Sequence, residues 1–146
     1  MTTPFPLYAL CVDDHVDTRE MLGFYLRSLG LEVVLAANAK EALRYSEKTD
    51  FDLYLLESWL PDLDGDELCR QLRQRARRPS PILFFSGAAR EVDRQKGIKA
   101  GATAYIAKPN FLELMDTLSD LIAKARAGQI KTPMCSTEIC RLSLAC

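Results

Sequence analysis

Short apolar runs recur along the chain and alternate with segments whose apolar residues return at helical spacing. Near-continuous apolar runs of this length are typical of strands buried on both faces, as in a parallel sheet. The predicted strands are 7–12, 31–36, 51–56, 81–85 and 102–107. Because a helical pattern follows each run, the sequence predicts five strand–helix units in succession, written (βα)5.

The helices are predicted from their apolar stripes and from the residues that begin and end them. The first stripe stops just before Gly30, and Asn38 is the predicted N-cap of the second helix, with Glu41 as its capping-box partner. The third and fourth helices are predicted over about 64–76 and 89–100. Short links between strands and helices favour an α/β fold, a doubly wound parallel five-stranded sheet with right-handed crossovers.

The fifth helix is predicted to begin after Pro109 and to end at Gly128. Its expected buried stripe consists of Leu112, Met115, Leu118, Leu121 and Ile122. Residues 129–146 have no strong periodicity, so we expect one domain over residues 1–128 and a mobile tail behind it.

Composition narrows the class of protein. The 146 residues fit one hydrophobic core, and a net charge of −1 gives no indication of nucleic acid or of a membrane surface as partner. No apolar run approaches the roughly 20 residues that span a bilayer, and the N-terminus does not resemble a signal peptide. The five cysteines have no metal-ligand spacing, which favours reduced thiols and a cytoplasmic location. The three in the tail, Cys135, Cys140 and Cys146, keep a small chance of oxidation between chains.

Polar residues follow four of the predicted strands. Asp13 and Asp14 come after the first strand, Glu57 after the third, Ser86 after the fourth and Lys108 after the fifth. In doubly wound sheets, ligands bind beyond the carboxyl ends of the strands, so these side chains are expected to converge. Three carboxylates suit a hard divalent cation such as Mg²⁺, and a lysine with a hydroxyl can hold the oxygens of a phosphoryl group.

Several motifs taken together resemble the receiver domains of two-component response regulators, of the stand-alone chemotaxis-regulator type. They are Val12-Asp13-Asp14, the stretch from Phe51 to Gly65 that contains Glu57, the stretch from Pro81 to Gly87, and Gly101 to Pro109. The resemblance covers about residues 7–127 and implies a flavodoxin-like sheet with strand order 2-1-3-4-5.

The resemblance also implies roles for individual residues. Glu57 falls on the phosphoacceptor position, with Lys108 and Ser86 beside it as catalytic groups. Asp13, Asp14 and Glu57 fall on the metal site, which implies Mg²⁺ as cofactor. Ser86 and Tyr105 fall on the switch positions, and the bond from Lys108 to Pro109 is expected to be cis.

Glu57 departs from the family pattern, because these receivers accept phosphate on an aspartate. The extra methylene adds about 1.5 Å of reach and crowds the space for metal and phosphoryl group. A misplacement of about 1 Å can cost on the order of 10²-fold in rate, so we expect phosphorylation and Mg²⁺ binding to be weak or absent. The longer carboxylate also comes within reach of Lys108 or Ser86, which would imitate the phosphorylated state.

The sequence favours a stand-alone receiver that acts as a signalling switch or adaptor and is not an enzyme. Its expected partners are a histidine kinase or phosphotransfer protein and a downstream protein. The latter would bind the face of the fourth helix, fifth strand and fifth helix, and a homodimer is left open. The alternative is a competent Mg²⁺-dependent phosphoacceptor in which Glu57 is an engineered or tolerated substitution.

A third hypothesis, a flavodoxin-like cofactor binder, is disfavoured, because Asp13 and Asp14 occupy the loop whose amides would have to bind phosphate. Two neighbouring residues are ambiguous. Trp59 is equally compatible with shielding the site and with packing on its loop, whereas His15 is expected to be a solvated loop residue rather than a phosphohistidine relay.

Overall fold

The computed structural model describes the backbone of residues 6–131 and the side chains of residues 6–128. Within this part the chain divides into two compact units, Pro6–Leu114 and the residues from Met115 onward. The predicted tail cysteines and most of residues 129–146 lie outside the described residues. No helix in the described range is both long and apolar enough to cross a bilayer.

The first unit contains one parallel sheet of five strands. They are β1 (Leu7–Val12), β2 (Leu31–Ala36), β3 (Leu53–Leu56), β4 (Ile82–Ser86) and β5 (Ala104–Ala107). Their order is β2-β1-β3-β4-β5, and every neighbouring pair is parallel. This order confirms the predicted doubly wound fold.

Each strand is followed by a helix. The helices are α1 (Val16–Ser28), α2 (Ala39–Lys48), α3 (Gly65–Arg75), α4 (Glu91–Lys99) and α5 (Phe111–Lys131). Helix α1 ends at Ser28, two residues before Gly30. The φ of Gly30 is 89°, in the left-handed region that favours glycine, as expected for a residue that follows the end of a helix.

Two helix ends differ from the prediction. The side chain of Asn38 accepts a hydrogen bond from the Glu41 amide, as expected, but the Glu41 carboxylate accepts from the Ala37 amide instead of that of Asn38. Helix α5 passes through Gly128 and continues to Lys131, so the predicted stop at this glycine was wrong. An isolated glycine weakens a helix by only about 1 kcal/mol and therefore does not oblige it to end.

The strands have apolar residues on both faces, and every residue of the central strands β3 and β4 is buried. Leu10, Leu56 and Phe84, on the three central strands, are each at most 1% exposed and belong to one core cluster. Full burial of side chains of this size contributes about 1.5–3 kcal/mol each. The sheet is therefore a rigid support for the polar residues at its carboxyl edge.

The burial of Cys69 on α3 has a chemical consequence that can be measured. Desolvation raises the pKa of its thiol from 9.0 to about 11, and the thiol contacts the Ala100 carbonyl oxygen. Since the thiolate is the reactive form, we expect Cys69 to be alkylated much more slowly in the native protein than in urea. Peptide mass mapping after timed alkylation measures this.

The same raised pKa makes stability depend on pH. Because the folded pKa lies above the unfolded value, this contribution is complete below pH 9.0 and is lost as pH rises towards about 11. Urea titrations across this range should therefore show a shallower decline for Cys69→Ala than for the parent. Equal slopes would contradict the assignment.

Candidate functional site

The register of the sheet brings the polar strand-end residues to one edge. Val12 pairs with Leu56, and Leu56 with Phe84, so the residues that follow these strands are neighbours. The backbone continues this alignment, because the Glu57 amide donates to the Val12 carbonyl (3.0 Å) and the Lys108 amide to the Ser86 carbonyl (2.9 Å).

Glu57 lies at the centre of this edge and is only 5% exposed. Its Oε1 accepts a hydrogen bond from the Lys108 ammonium at 2.7 Å. Its Oε2 accepts from the amides of Ser58 (2.6 Å) and Trp59 (3.2 Å) and from the Ser86 hydroxyl. A carboxylate oxygen has two lone pairs, so Oε2 is fully engaged by its three donors, whereas Oε1 accepts from Lys108 alone.

Lys108 links the two buried carboxylates of the site. Its Nζ lies 2.8 Å from Asp13 Oδ2 as well as 2.7 Å from Glu57 Oε1. Partial burial by itself would lower the pKa of Lys108, but hydrogen bonds to Asp13 and Glu57 outweigh it and raise the pKa above 10.5. The lysine therefore remains a cation at neutral pH. The bond from Lys108 to Pro109 is cis.

The acidic pair is divided between the interior and the surface. Asp13 is 1% exposed and accepts a hydrogen bond from the His15 amide (2.9 Å), whereas Asp14 is exposed. The exposed His15 ring lies 3.3 Å from Asp14 Oδ1 and 3.6 Å from Asp13 Oδ1. Potential ligand atoms of these three residues lie within 4.8 Å of one another.

Glu57 does not belong to that group of potential ligands among the described residues. Two of the three predicted Mg²⁺ ligands, Asp13 and Asp14, are thus adjacent, and Lys108 is bound to both Asp13 and Glu57. Mg²⁺ prefers oxygen ligands in near-ideal octahedral geometry. The acidic pair fits such an ion in chemical type, but a complete site would require Glu57 to release its present donors.

The two predicted switch residues are both hydrogen-bonded to the backbone of one residue, Ala88. The Ser86 hydroxyl accepts a hydrogen bond from the Ala88 amide at 3.0 Å. The Tyr105 hydroxyl donates to the Ala88 carbonyl at 2.6 Å. Tyr105 is 4% exposed, and its ring stacks on that of Phe84 with centroids 5.1 Å apart. The tyrosine ring therefore points inward.

Trp59 and His15, whose roles the sequence left ambiguous, are both on the surface. Trp59 is 62% exposed, and its amide donates a hydrogen bond to Glu57 Oε2. The side chain of His15 is 73% exposed.

Sequence reasoning missed two residues in the loop after β3. Asp62 accepts hydrogen bonds from the Ala39 and Lys40 amides, both at 2.9 Å, and so ties the loop to the start of α2. The Ser58 hydroxyl lies 2.8 Å from that of Tyr105. The available signal for Ser58 was its position directly after Glu57, but nothing in the sequence indicated that it would face Tyr105.

The geometry agrees with a comparison across known protein families. Residues 9–119 match the response regulator receiver domain. The chain belongs to this family. Receiver domains are signalling modules of two-component systems, in which they interact with histidine kinases and downstream effectors.

Curated relatives of this chain have moderate sequence identity to it. The chain is 38% identical over 100 residues to the alkaline phosphatase synthesis transcriptional regulatory protein PhoP of Bacillus subtilis, covering 68% of this chain and 41% of that protein. The chain spans less than half the length of the curated relatives it matches.

Solved structures of two receivers show the same fold. The Vibrio cholerae chemotaxis response regulator CheY4 is 30% identical with a TM-score of 0.72, covering 80% of this chain and 99% of that one. The receiver domain of the sensor histidine kinase PA1611 from Pseudomonas aeruginosa is 32% identical with a TM-score of 0.71, covering 82% and 99%. The latter has a magnesium ion coordinated in its active site cleft.

Proposed function

We propose that this receiver is a signalling switch or adaptor in a two-component phosphorelay, with little or no phosphorylation at Glu57. In this proposal Glu57 takes the place of a phosphorylated aspartate and holds the domain in its active arrangement. The observation that carries the proposal is that the Glu57 carboxylate accepts hydrogen bonds from Lys108, Ser86 and two backbone amides.

The hydrogen bonds around Glu57 oppose its use as a nucleophile. An attacking carboxylate oxygen needs a free lone pair directed at phosphorus, in line with the leaving group. Here Oε2 accepts from three donors, among them the Ser86 hydroxyl, and has no free lone pair. Oε1 keeps one lone pair, but the Lys108 ammonium fixes its direction. The groups that would stabilise an incoming phosphoryl group are therefore bound to the acceptor side chain itself.

The inward position of Tyr105 supports the active arrangement. In receivers that this chain resembles, the hydroxyl at Ser86 moves towards the phosphoryl group and the ring at Tyr105 turns inward. Here Ser86 is hydrogen-bonded to Glu57, and the Tyr105 ring is buried. A switch of this kind needs two arrangements that differ by only a few kcal/mol and a local contact that biases them.

The deciding experiment is incubation of the parent protein and of Glu57→Asp with a small-molecule phosphodonor and Mg²⁺, followed by intact-mass measurement. Little labelling of the parent and clear labelling of the variant supports the proposal. A parent that labels as fast as the variant contradicts it and favours the alternative of a competent phosphoacceptor in which glutamate is a tolerated substitution.

We expect Mg²⁺ to bind only weakly to the parent, through Asp13 and Asp14, because Lys108 is bound to both Glu57 and Asp13. When bound, the metal would neutralise the carboxylates and the oxygens of a phosphoryl group. Trp59 is the only tryptophan in the chain, so its fluorescence can follow an MgCl₂ titration. We expect tighter binding in Glu57→Asp and loss of binding in Asp14→Ala. Tight binding by the parent would show that the extra methylene does not disturb the site.

The downstream partner is proposed to bind the surface formed by α4, β5 and the start of α5. Arg94 on α4 donates to the Tyr105 carbonyl at 2.7 Å, so a change at Tyr105 would reach this helix directly. Exposed α4 residues of mixed character, Glu91, Gln95, Ile98 and Lys99, suit a reversible contact. The stand-alone organisation, a homodimer, the cytoplasmic location and a mobile tail stay predictions.

A further inference from the structure

The hydrogen bonds of the Tyr105 hydroxyl identify its donors and acceptors. The Ala88 carbonyl, 2.6 Å away, can only accept a hydrogen bond, so the single O–H group of Tyr105 donates to it. The Ser58 hydroxyl, 2.8 Å from the Tyr105 oxygen, must then be the donor in the second hydrogen bond. Tyr105 therefore makes two directed hydrogen bonds in its inward position, one to a backbone group and one to a side chain.

The backbone of Ser58 is fixed on both sides. Its amide donates to Glu57 Oε2 at 2.6 Å, and its carbonyl accepts from the Gly65 amide at 2.8 Å. A Cβ at position 65 would lie 2.5 Å from the Glu57 carbonyl oxygen, so only glycine permits this close approach. The hydroxyl of Ser58 is thus presented to Tyr105 from a rigid support that itself contacts the acceptor residue.

We propose that Ser58 is a positioning residue that holds Tyr105 inward and connects the ring directly to Glu57. This connection is separate from the one that runs through Ser86 and Ala88. The proposed role of Ser58 rests on the function proposed above in one respect, which is that the inward ring is taken as the active arrangement. The hydrogen bond itself does not require that Glu57 escape phosphorylation.

The space for the inward ring is provided by α4. A Cβ built on Gly97 would lie 2.7 Å from the Tyr105 ring, well inside normal contact distance. The ring is therefore enclosed by Phe84, Gly97 and its two hydrogen-bond partners. Glycine supplies room on one side, and Ser58 supplies a directed hydrogen bond on another.

The test is the orientation of Tyr105 in the full chain, measured by NMR with ring-labelled tyrosine and assigned with Tyr105→Phe. An inward ring stacked on Phe84 has a ring-current shift that an exposed ring lacks. A neutral hydrogen bond of ordinary strength corresponds to about a 2- to 10-fold change in the inward-to-outward ratio. We expect Ser58→Ala to lower the ratio by this factor and Ser58→Thr, which keeps the hydroxyl, to restore it. Gly97→Ala, which removes the space instead, should turn the ring outward with Ser58 intact.

Three outcomes would overturn the proposal, and they are distinguishable. An inward ring that is unchanged in Ser58→Ala removes the role of Ser58 and leaves the proposed function intact. A shift in Ser58→Ala that Ser58→Thr fails to reverse shows that local packing and not the hydroxyl is responsible. An outward ring in the parent contradicts both the positioning by Ser58 and the active arrangement proposed for the whole domain.

Discussion

Replacing Glu57 with aspartate is expected to raise the rate of phosphorylation by a small-molecule donor about 10²-fold, the cost of roughly 1 Å of misplacement at a reacting atom. The shorter side chain draws the carboxylate back from Lys108 and Ser86, which frees both groups to hold phosphoryl oxygens. It also opens the space beside Asp13 and Asp14 in which Mg²⁺ can acquire a third carboxylate. Intact-mass spectra over a time course measure the rate.

Two matched variants locate the effect at the acceptor. Glu57→Gln keeps the length of the side chain but lacks the nucleophilic carboxylate, and it should remain unlabelled. Asp14→Asn in the Glu57→Asp background should lose most of the gain, because the metal loses a carboxylate ligand. If the parent and Glu57→Asp are labelled at the same rate, the length of the side chain at position 57 does not limit the rate of phosphorylation.

Lys108→Met is expected to destabilise the folded protein by about 3 kcal/mol at pH 8, since removing one partner of a buried ion pair leaves uncompensated charge. Lys108 is 21% exposed, and the carboxylates of Asp13 and Glu57 that it bridges are 2% and 5% exposed. Urea unfolding of the parent and of Lys108→Met measures the difference.

Lys124→Met is the matched control for that substitution. Lys124 Nζ lies 3.1 Å from Asp120 Oδ2, one turn away on the same helix, but the two side chains are 72% and 64% exposed. Exposed pairs of this kind contribute about 0.3–0.5 kcal/mol. A loss in Lys108→Met no larger than in this control would mean that Lys108 is not needed to compensate the buried acids.

The order and type of the elements could be predicted, but several boundaries could not. Runs of apolar residues indicate burial, and burial is not the same as membership of a strand. Phe51 is 1% exposed yet precedes β3, which begins at Leu53. On α5 the buried residues are Leu114, Leu118 and Ile122, spaced by four, whereas Leu112 of the predicted stripe is 76% exposed. With Leu and Met on several sides of this helix, the sequence allowed more than one stripe.

The convergence of the site could be predicted because parallel strands end at a common edge. Side-chain direction within that edge could not. The length of Glu57 allowed a contact with Lys108 or Ser86, and the structure shows both, but nothing in the spacing indicated that Lys108 would also bind Asp13. The role of Ser58 could not be predicted for the same reason, since it depends on the distance between a loop residue and a residue of β5 that are 47 positions apart in sequence.

The bonds that engage Glu57 have a consequence for the lifetime of a signal. An aspartyl phosphate ends its own message by hydrolysis, and phosphatases can accelerate that decay. A glutamate side chain held by Lys108 and Ser86 contains no bond that water can break to reset it. If it holds the active arrangement, output from this receiver rises and falls with the number of molecules in the cell. Synthesis and proteolysis would then set its timing.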